Sequence, residues 1–321
     1  MYMKVIILKI TTFFITLGAM LVYNFHKHIK GIKTKRNIKY GAVKRFRKDL
    51  NVHYHKNNSE NIKRPVIVYF HGGGWTAYSK GIYTTLCKRY ASMGYVVFNV
   101  NYTLAPKVKM EGVLADCLEA VLFANSNASK FGGDSSQIIL AGDSAGAHIS
   151  SFIANVVNSS SFKTETFDYL KGAKDLNRFK NLCKEAKSVL KDKIKALLLF
   201  YGVYDLNTML TSKFPNIRTY VEASLYGKGN DKVENRLFSP VEHIDDKFPP
   251  CFIASGEIDK LHESQSFMLK NLLEEKNIKV QNLFFGKEEL RAMHAFMIFD
   301  GLYTNEKALQ SSKEFLEEVL F

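Results

Sequence analysis

The chain is 321 residues long and 46% hydrophobic, enough for one large core or two small ones and too apolar for a disordered protein. Its formal charge of +14 would suit a nucleic-acid surface only if it were spread along the chain. Residues 1–48 hold 12 Lys or Arg and no Asp or Glu, so 14 − 12 leaves +2 for residues 49–321. The basic excess is a local N-terminal feature, and no nucleic-acid partner is expected.

Val5 to Phe25 is mostly apolar, broken by Lys9, and about 20 apolar residues suffice for a helix to cross a bilayer. Residues 1–26 therefore read as a single-pass membrane anchor, with a cleaved secretory signal as the rival and a buried soluble helix as the plainest alternative. Gly18-Ala19-Met20 is a poor cleavage site. Residues 27–48 follow as a basic linker. Its 10 Lys or Arg favour keeping the downstream side cytoplasmic and suit an anionic lipid surface, although a solvated linker accounts for them equally well.

The segment Val43–His55 alternates loosely and predicts an antiparallel edge hairpin. Short apolar runs follow at Pro65–Phe70, Tyr95–Val100, Gln137–Ala141, Ala196–Tyr201, Pro250–Ser255 and Val280–Phe285, each suited to a buried parallel strand. Between them, Ile82–Met93, Val113–Ser129, His148–Val157, Glu263–Glu275 and Glu306–Leu320 show apolar residues at helical spacing. Strand alternating with helix predicts one α/β catalytic domain over residues 49–321, its parallel sheet covered on both faces. Two connections are long. About 158–195 carries a helical stripe of Phe179, Leu182, Cys183, Ala186, Val189 and Leu190, more often a core-covering face than a membrane-binding one; about 207–235 would form a cap over a substrate pocket. The cysteines Cys87, Cys117, Cys183 and Cys251 lack zinc-ligand spacing and read as free buried thiols, with one bridge left open for an oxidising compartment.

Gly142-Asp143-Ser144-Ala145-Gly146 fits G-x-S-x-G and stands between a strand run and a helix run. That context suits a nucleophile elbow, where glycines flank a turn too tight for side chains and the Ser144 hydroxyl is left exposed. Upstream, His71-Gly72-Gly73-Gly74-Trp75 follows another strand run, and its N–H groups, with that of Ala145, would bind a developing oxyanion. Phosphate-loop spacing is absent. A serine nucleophile needs a base, and the base needs an acid, here in the chain order serine, acid, histidine. His148, His243, His262 and His294 follow Ser144; His294, beyond the last strand run, is the favoured base, and His148 on the elbow helix reads as structural. Asp259 is favoured as the acid over Glu257, since it lies deeper in the loop after Pro250–Ser255.

Together with Tyr102-Thr103-Leu104-Ala105-Pro106 and Ser239-Pro240, these motifs resemble the hormone-sensitive-lipase-like α/β-hydrolases, which include carboxylesterases and arylacetamide deacetylase-like enzymes; the likeness runs from about Arg64 to the C-terminus. It implies an α/β-hydrolase fold and a serine hydrolase of small or lipophilic esters acting through an acyl-enzyme, with no metal or organic cofactor. It also implies oxyanion donors within Gly72, Gly73, Gly74 and Ala145, and a structural acid at Asp116. Lys107 departs from the family, which usually has Glu there. Trp75, Ala147-His148 and Gly202–Leu206 are similar to arylformamidases and imply an amide as the alternative substrate. A membrane-tethered binding protein on the same fold is the non-enzymatic alternative.

Overall fold

The computed structural model describes residues 29–57 and 63–321. The expected anchor or signal, residues 1–26, lies outside the described residues, among which no helix is long and apolar enough to cross a membrane.

The described strands are β1 (Ile32–Lys39), β2 (Asp49–His55), β3 (Arg64–Phe70), β4 (Val96–Val100), β5 (Gly133–Asp143), β6 (Ile194–Phe200), β7 (Cys251–Gly256) and β8 (Val280–Phe285). They form one eight-stranded sheet in the order β1-β2-β4-β3-β5-β6-β7-β8. β2 is antiparallel to both β1 and β4, and every other pairing is parallel. The central strands read as unbroken apolar runs because both their faces are buried. In β3, Val66, Val68 and Phe70 enter one core while Ile67 and Tyr69 enter the other. The helices Met110–Asn127, Ala145–Asn158 and Leu176–Val189 cover the first core, and Thr84–Ser92 and Tyr303–Leu320 the second. Each fully buried aliphatic side chain contributes about 1.5–3 kcal/mol. The molecule has the α/β-hydrolase fold.

The stripe in the first long connection faces the core: Phe179, Leu182, Cys183, Ala186 and Leu190 are buried, whereas Val189 is 38% exposed. The second connection forms three short helices, Leu206–Thr211, Ile217–Ser224 and Lys232–Leu237, between β6 and β7. All four cysteines are buried and free.

The N-terminal reading is corrected. The stretch 27–48, expected as a linker, contains β1, and the hairpin pairs residues 32–39 with 49–55 rather than folding within Val43–His55. Ile32, Thr34 and Ile38 are half-buried while Lys33, Lys35, Arg36 and Lys39 are exposed, so a period-2 strand is disguised by lysines on its solvent side. Lysines on an edge strand also oppose pairing with another sheet. Two cations of this stretch, the buried Lys48 and the half-buried Arg45, are held in ion pairs. Lys48 pairs with Glu119, and Arg45 with Asp175 at 2.5 Å. Arg178 bridges Asp116 at 2.5 Å and Glu119 at 2.6 Å. Asp116, fully buried, also accepts from the Thr103 N–H at 3.2 Å, consistent with a structural acid.

Removing one partner from a buried ion cluster leaves an uncompensated charge. Arg178→Met is expected to lower the unfolding free energy by about 3 kcal/mol in urea titrations at pH 7. Lys180→Met, whose partner Asp168 is 66% exposed, should change it by less than about 1 kcal/mol.

Candidate active site

The parallel strands direct their C-terminal ends to one edge of the sheet, where the loops after β3, β5 and β7 meet. After β5 the chain turns into the helix Ala145–Asn158 through Ser144, whose φ of 50° is left-handed, a conformation that costs a non-glycine residue about 1–3 kcal/mol. Its N–H is held by the Phe200 carbonyl at 2.9 Å. The flanking glycines are sterically required: a Cβ on Gly146 would lie 2.0 Å from the Phe70 oxygen, and one on Gly142 would lie 2.4 Å from the Gly146 carbonyl carbon. Ala145 opens the helix, so its N–H has no partner within the first turn and points with the positive end of the helix dipole.

Ser144, His294 and Asp259 are brought together. His294 Nε2 lies 2.9 Å from Ser144 Oγ, and His294 Nδ1 lies 2.7 Å from Asp259 Oδ2. An ionised carboxylate only accepts hydrogen bonds, so Nδ1 carries the proton and the Nε2 lone pair faces the serine hydroxyl. In this tautomer the imidazole can take the hydroxyl proton. Asp259 Oδ1 also accepts from the Leu261 N–H at 3.0 Å. Gly256 lets the two loops close up, since a Cβ there would lie 2.2 Å from the Ala292 carbonyl oxygen. Glu257 is exposed while Asp259 is buried, which separates the two acid candidates.

The glycine loop is held from below by Asp143, a residue that the sequence reading treated only as the variable position of the serine motif. Its buried carboxylate accepts from the Gly72 N–H at 3.0 Å, the Tyr69 hydroxyl at 3.2 Å and the Tyr83 hydroxyl at 2.8 Å. Burial raises its pKa to about 6 against the lowering effects of Tyr83, His294, Tyr69 and Gly72. Gly72 is thereby corrected: its N–H is engaged by Asp143, and it does not line the cavity above Ser144. Gly73, Gly74 and Ala145 do line it. The φ angles of Gly73 and Gly74 are 103° and 56°, and a Cβ on Gly74 would meet the Tyr220 ring at 2.3 Å. That cavity has a volume of ≈ 100 Å³, and Val203, Met209, Phe214, Ile217, Tyr220 and Leu261 make its walls largely apolar.

The remaining histidines are occupied elsewhere. Trp75 Nε1 donates to His148 Nδ1 at 3.3 Å, so the other nitrogen carries the hydrogen and donates to the Phe238 carbonyl at 2.8 Å. Burial depresses the His148 pKa to about 4; it is a neutral structural histidine. His243 contacts the Leu237 carbonyl at 2.9 Å, and His262 Nδ1 contacts Ser255 Oγ at 2.7 Å. The arylformamidase-like features also have packing roles. Trp75 and His148 bind one another, and Asp205 caps the helix Leu206–Thr211 through the Asn207 N–H at 2.8 Å.

Asp143 binds its proton more tightly in the folded chain, at a pKa of about 6, than in the unfolded one, near 3.8. This contribution to stability is full below about pH 4 and is lost as the pH rises through about 6. Asp143→Asn cannot ionise. The melting temperature of the wild type relative to D143N is therefore expected to fall between pH 4 and 6.5 and to be level above it; a difference independent of pH would show that Asp143 titrates normally.

Residues 50–273 match the BD-FAE family. Among relatives, the chain is 26% identical to the esterase LipC of Mycobacterium tuberculosis over 252 residues, 76% of this chain and 56% of that protein. It is 34% identical over 127 residues to an isoprenylcysteine alpha-carbonyl methylesterase of Arabidopsis thaliana, covering 40% of this chain and 28% of the relative. The chain spans about half the length of relatives that it matches over most of its own length, 56% of LipC, 42% of LipM and 43% of LipQ. Esterase B from Lactobacillus rhamnosis superposes with a TM-score of 0.77 at 17% identity, covering 99% of this chain and 94% of that one. Thermogutta terrifontis esterase 2 does so with a TM-score of 0.66 at 21% identity, covering 92% and 98%. With the family matched over most of its length and the α/β-hydrolase architecture in place, the chain belongs to the BD-FAE family.

Proposed function

We propose that the protein is a carboxylic ester hydrolase in which Ser144 is the nucleophile, His294 the general base and acid, and Asp259 the residue that orients His294. The observation that carries this is the relay of 2.9 and 2.7 Å from Ser144 Oγ through the imidazole to Asp259, next to a glycine loop. Ser144 Oγ attacks the ester carbonyl as Nε2 takes its proton. The N–H groups of Gly73, Gly74 and Ala145 then receive the tetrahedral oxyanion, and each such donor is typically worth about 2.7–4 kcal/mol of barrier. The imidazolium gives its proton to the leaving alkoxide, and water hydrolyses the acyl-enzyme by the same steps in reverse order. The chemistry calls for no metal or organic cofactor.

The helices Leu206–Thr211 and Ile217–Ser224 act as the cap, and a cavity of ≈ 100 Å³ suits a short acyl group, with the alcohol portion left outside. The esterase names of the relatives support an ester substrate. Trp75 and His148 pair in the core, so nothing at the site favours a formyl amide.

Residues 1–26 are proposed to anchor the chain in a membrane, and the sheet topology bears on where that bilayer would lie. β1 runs parallel to β3–β8, because β2 is antiparallel to both β1 and β4. Ile32 pairs with His55 at the N-terminal end of the sheet, whereas Ser144 follows the C-terminal end of β5, on the order of 20 Å away at about 3.3 Å per residue. An anchor preceding β1 would enter at the pole opposite the cavity, so the substrate would come from the aqueous side.

Hydrolysis of p-nitrophenyl esters of increasing acyl length tests the chemistry. Ser144→Ala and Asp259→Asn are each expected to lower kcat by about 10⁴-fold or more on acetyl and butyryl esters, with fluorophosphonate labelling lost in the serine variant. Persistent labelling of S144A would defeat the assignment. Placement is checked with the full chain in phospholipid vesicles, where a soluble acetyl ester should be cut faster than a long-chain ester embedded in the same bilayer; the reverse order would overturn it.

A further inference from the structure

His294 is only partly buried. Its side chain is 20% exposed, against 1% for Asp259. Asp259 and Ser144 grip the ring through its two nitrogens, a pair of bonds that restrains the ring only while both are made. Two aromatic rings flank the rest of it. Tyr201, 1% exposed, has its centroid 4.9 Å from the imidazole, and its hydroxyl accepts from the Met297 N–H at 3.1 Å, which ties it to the core. On another side Phe214 lies 4.6 Å from the imidazole at 67°, edge to face. Phe214 does not come from the hydrolase core. It lies between the cap helices Leu206–Thr211 and Ile217–Ser224, and it lines the cavity beside Met209, Ile217 and Tyr220. The cap at this point is fastened to the body: Lys109 Nζ donates to the carbonyls of Ala223 and Leu225 at 3.0 and 2.9 Å, at the C-terminal end of the second cap helix, where a cation is favoured by the helix dipole.

We propose that Phe214 is a positioning residue for His294: the cap supplies the ring that holds the imidazole in the rotamer reaching Ser144 and keeps water from the hydrogen bond between Nδ1 and Asp259. The inference rests on the serine-hydrolase reading above. The physical basis is twofold. An edge-to-face aromatic pair is favourable beyond its buried area, and a hydrogen bond to a carboxylate holds its geometry better where water cannot compete. Because the same side chain lines the acyl space, the core contains the triad but only the cap completes its alignment.

The test compares Phe214→Ala, Phe214→Leu and Phe214→Tyr in the full chain, with p-nitrophenyl acetate as substrate and with melting temperatures and near-UV circular dichroism to establish folding. Phe214→Ala and Phe214→Leu are expected to lower kcat by about tenfold with KM within about twofold, and Phe214→Tyr to restore most of it. Leucine fills the site without a ring, so it separates packing from aromatic contact. The downfield proton resonance of Nδ1–H should broaden by exchange with water in F214A and be retained in F214Y. Wild-type kcat in F214A or F214L, with only KM changed, would overturn the proposal and leave Phe214 as a wall of the acyl space. Absence of Ser144-dependent turnover in the wild type would instead remove the hydrolase reading on which it rests.

Discussion

The turn at Ser144 works only because two backbones approach more closely than side chains permit. The Phe70 carbonyl at the end of β3 sits where a Cβ of Gly146 would be, so the glycine loop after β3 and the helix after β5 are brought into contact by one steric fact. A left-handed serine is held there by the Phe200 carbonyl of β6. Local strain of this kind persists only when the surroundings over-determine it, and three adjacent parallel strands do so. The hydroxyl is thus presented above the sheet edge rather than folded into the helix.

Two buried carboxylates stand close to that serine, and their partners give them different work. Asp259 accepts from the imidazole and from one backbone N–H, so its charge is directed at His294. Asp143 is surrounded by three donors from Tyr69, Tyr83 and Gly72, so its charge is directed at the backbone of the glycine loop. By occupying Gly72 it leaves Gly73 and Gly74 to face the cavity. The arrangement sorts three chemically identical glycines into one structural member and two that line the cavity beside Ser144.

The charge distribution follows the same logic at larger scale. The N-terminal stretch carries most of the net charge, yet Arg45 and Lys48 spend theirs on Asp116 and Glu119 of the helix Met110–Asn127 and on Asp175, which precedes the helix Leu176–Val189, fastening the edge hairpin to the body. Lys33, Lys35, Arg36 and Lys39 remain exposed on β1. A charge count over this segment therefore merges two populations, one in the interior and one on the surface.

What the sequence determined by itself was local and steric. The unbroken apolar runs marked strands buried on both faces, the glycines around Ser144 marked a turn that no side chain tolerates, and the order of Ser144, Asp259 and His294 along alternating strands identified the three groups that meet at one sheet edge. The apolar runs and the glycine turn are local signals imposed by backbone geometry, whereas the triad was read from chain order across 150 residues. Tertiary structure alone decided the rest. Asp143 selects Gly72 from 71 residues away, and Arg45 finds Asp175 at a separation of 130. Phe214 reaches His294 from a cap whose irregular path has no periodicity to read. β1 was hidden because lysines on the solvent face of an edge strand look like a linker until the half-buried face is known. Such pairings carry no local signature: each side chain alone is compatible with solvent, and only the closed fold sets its partner.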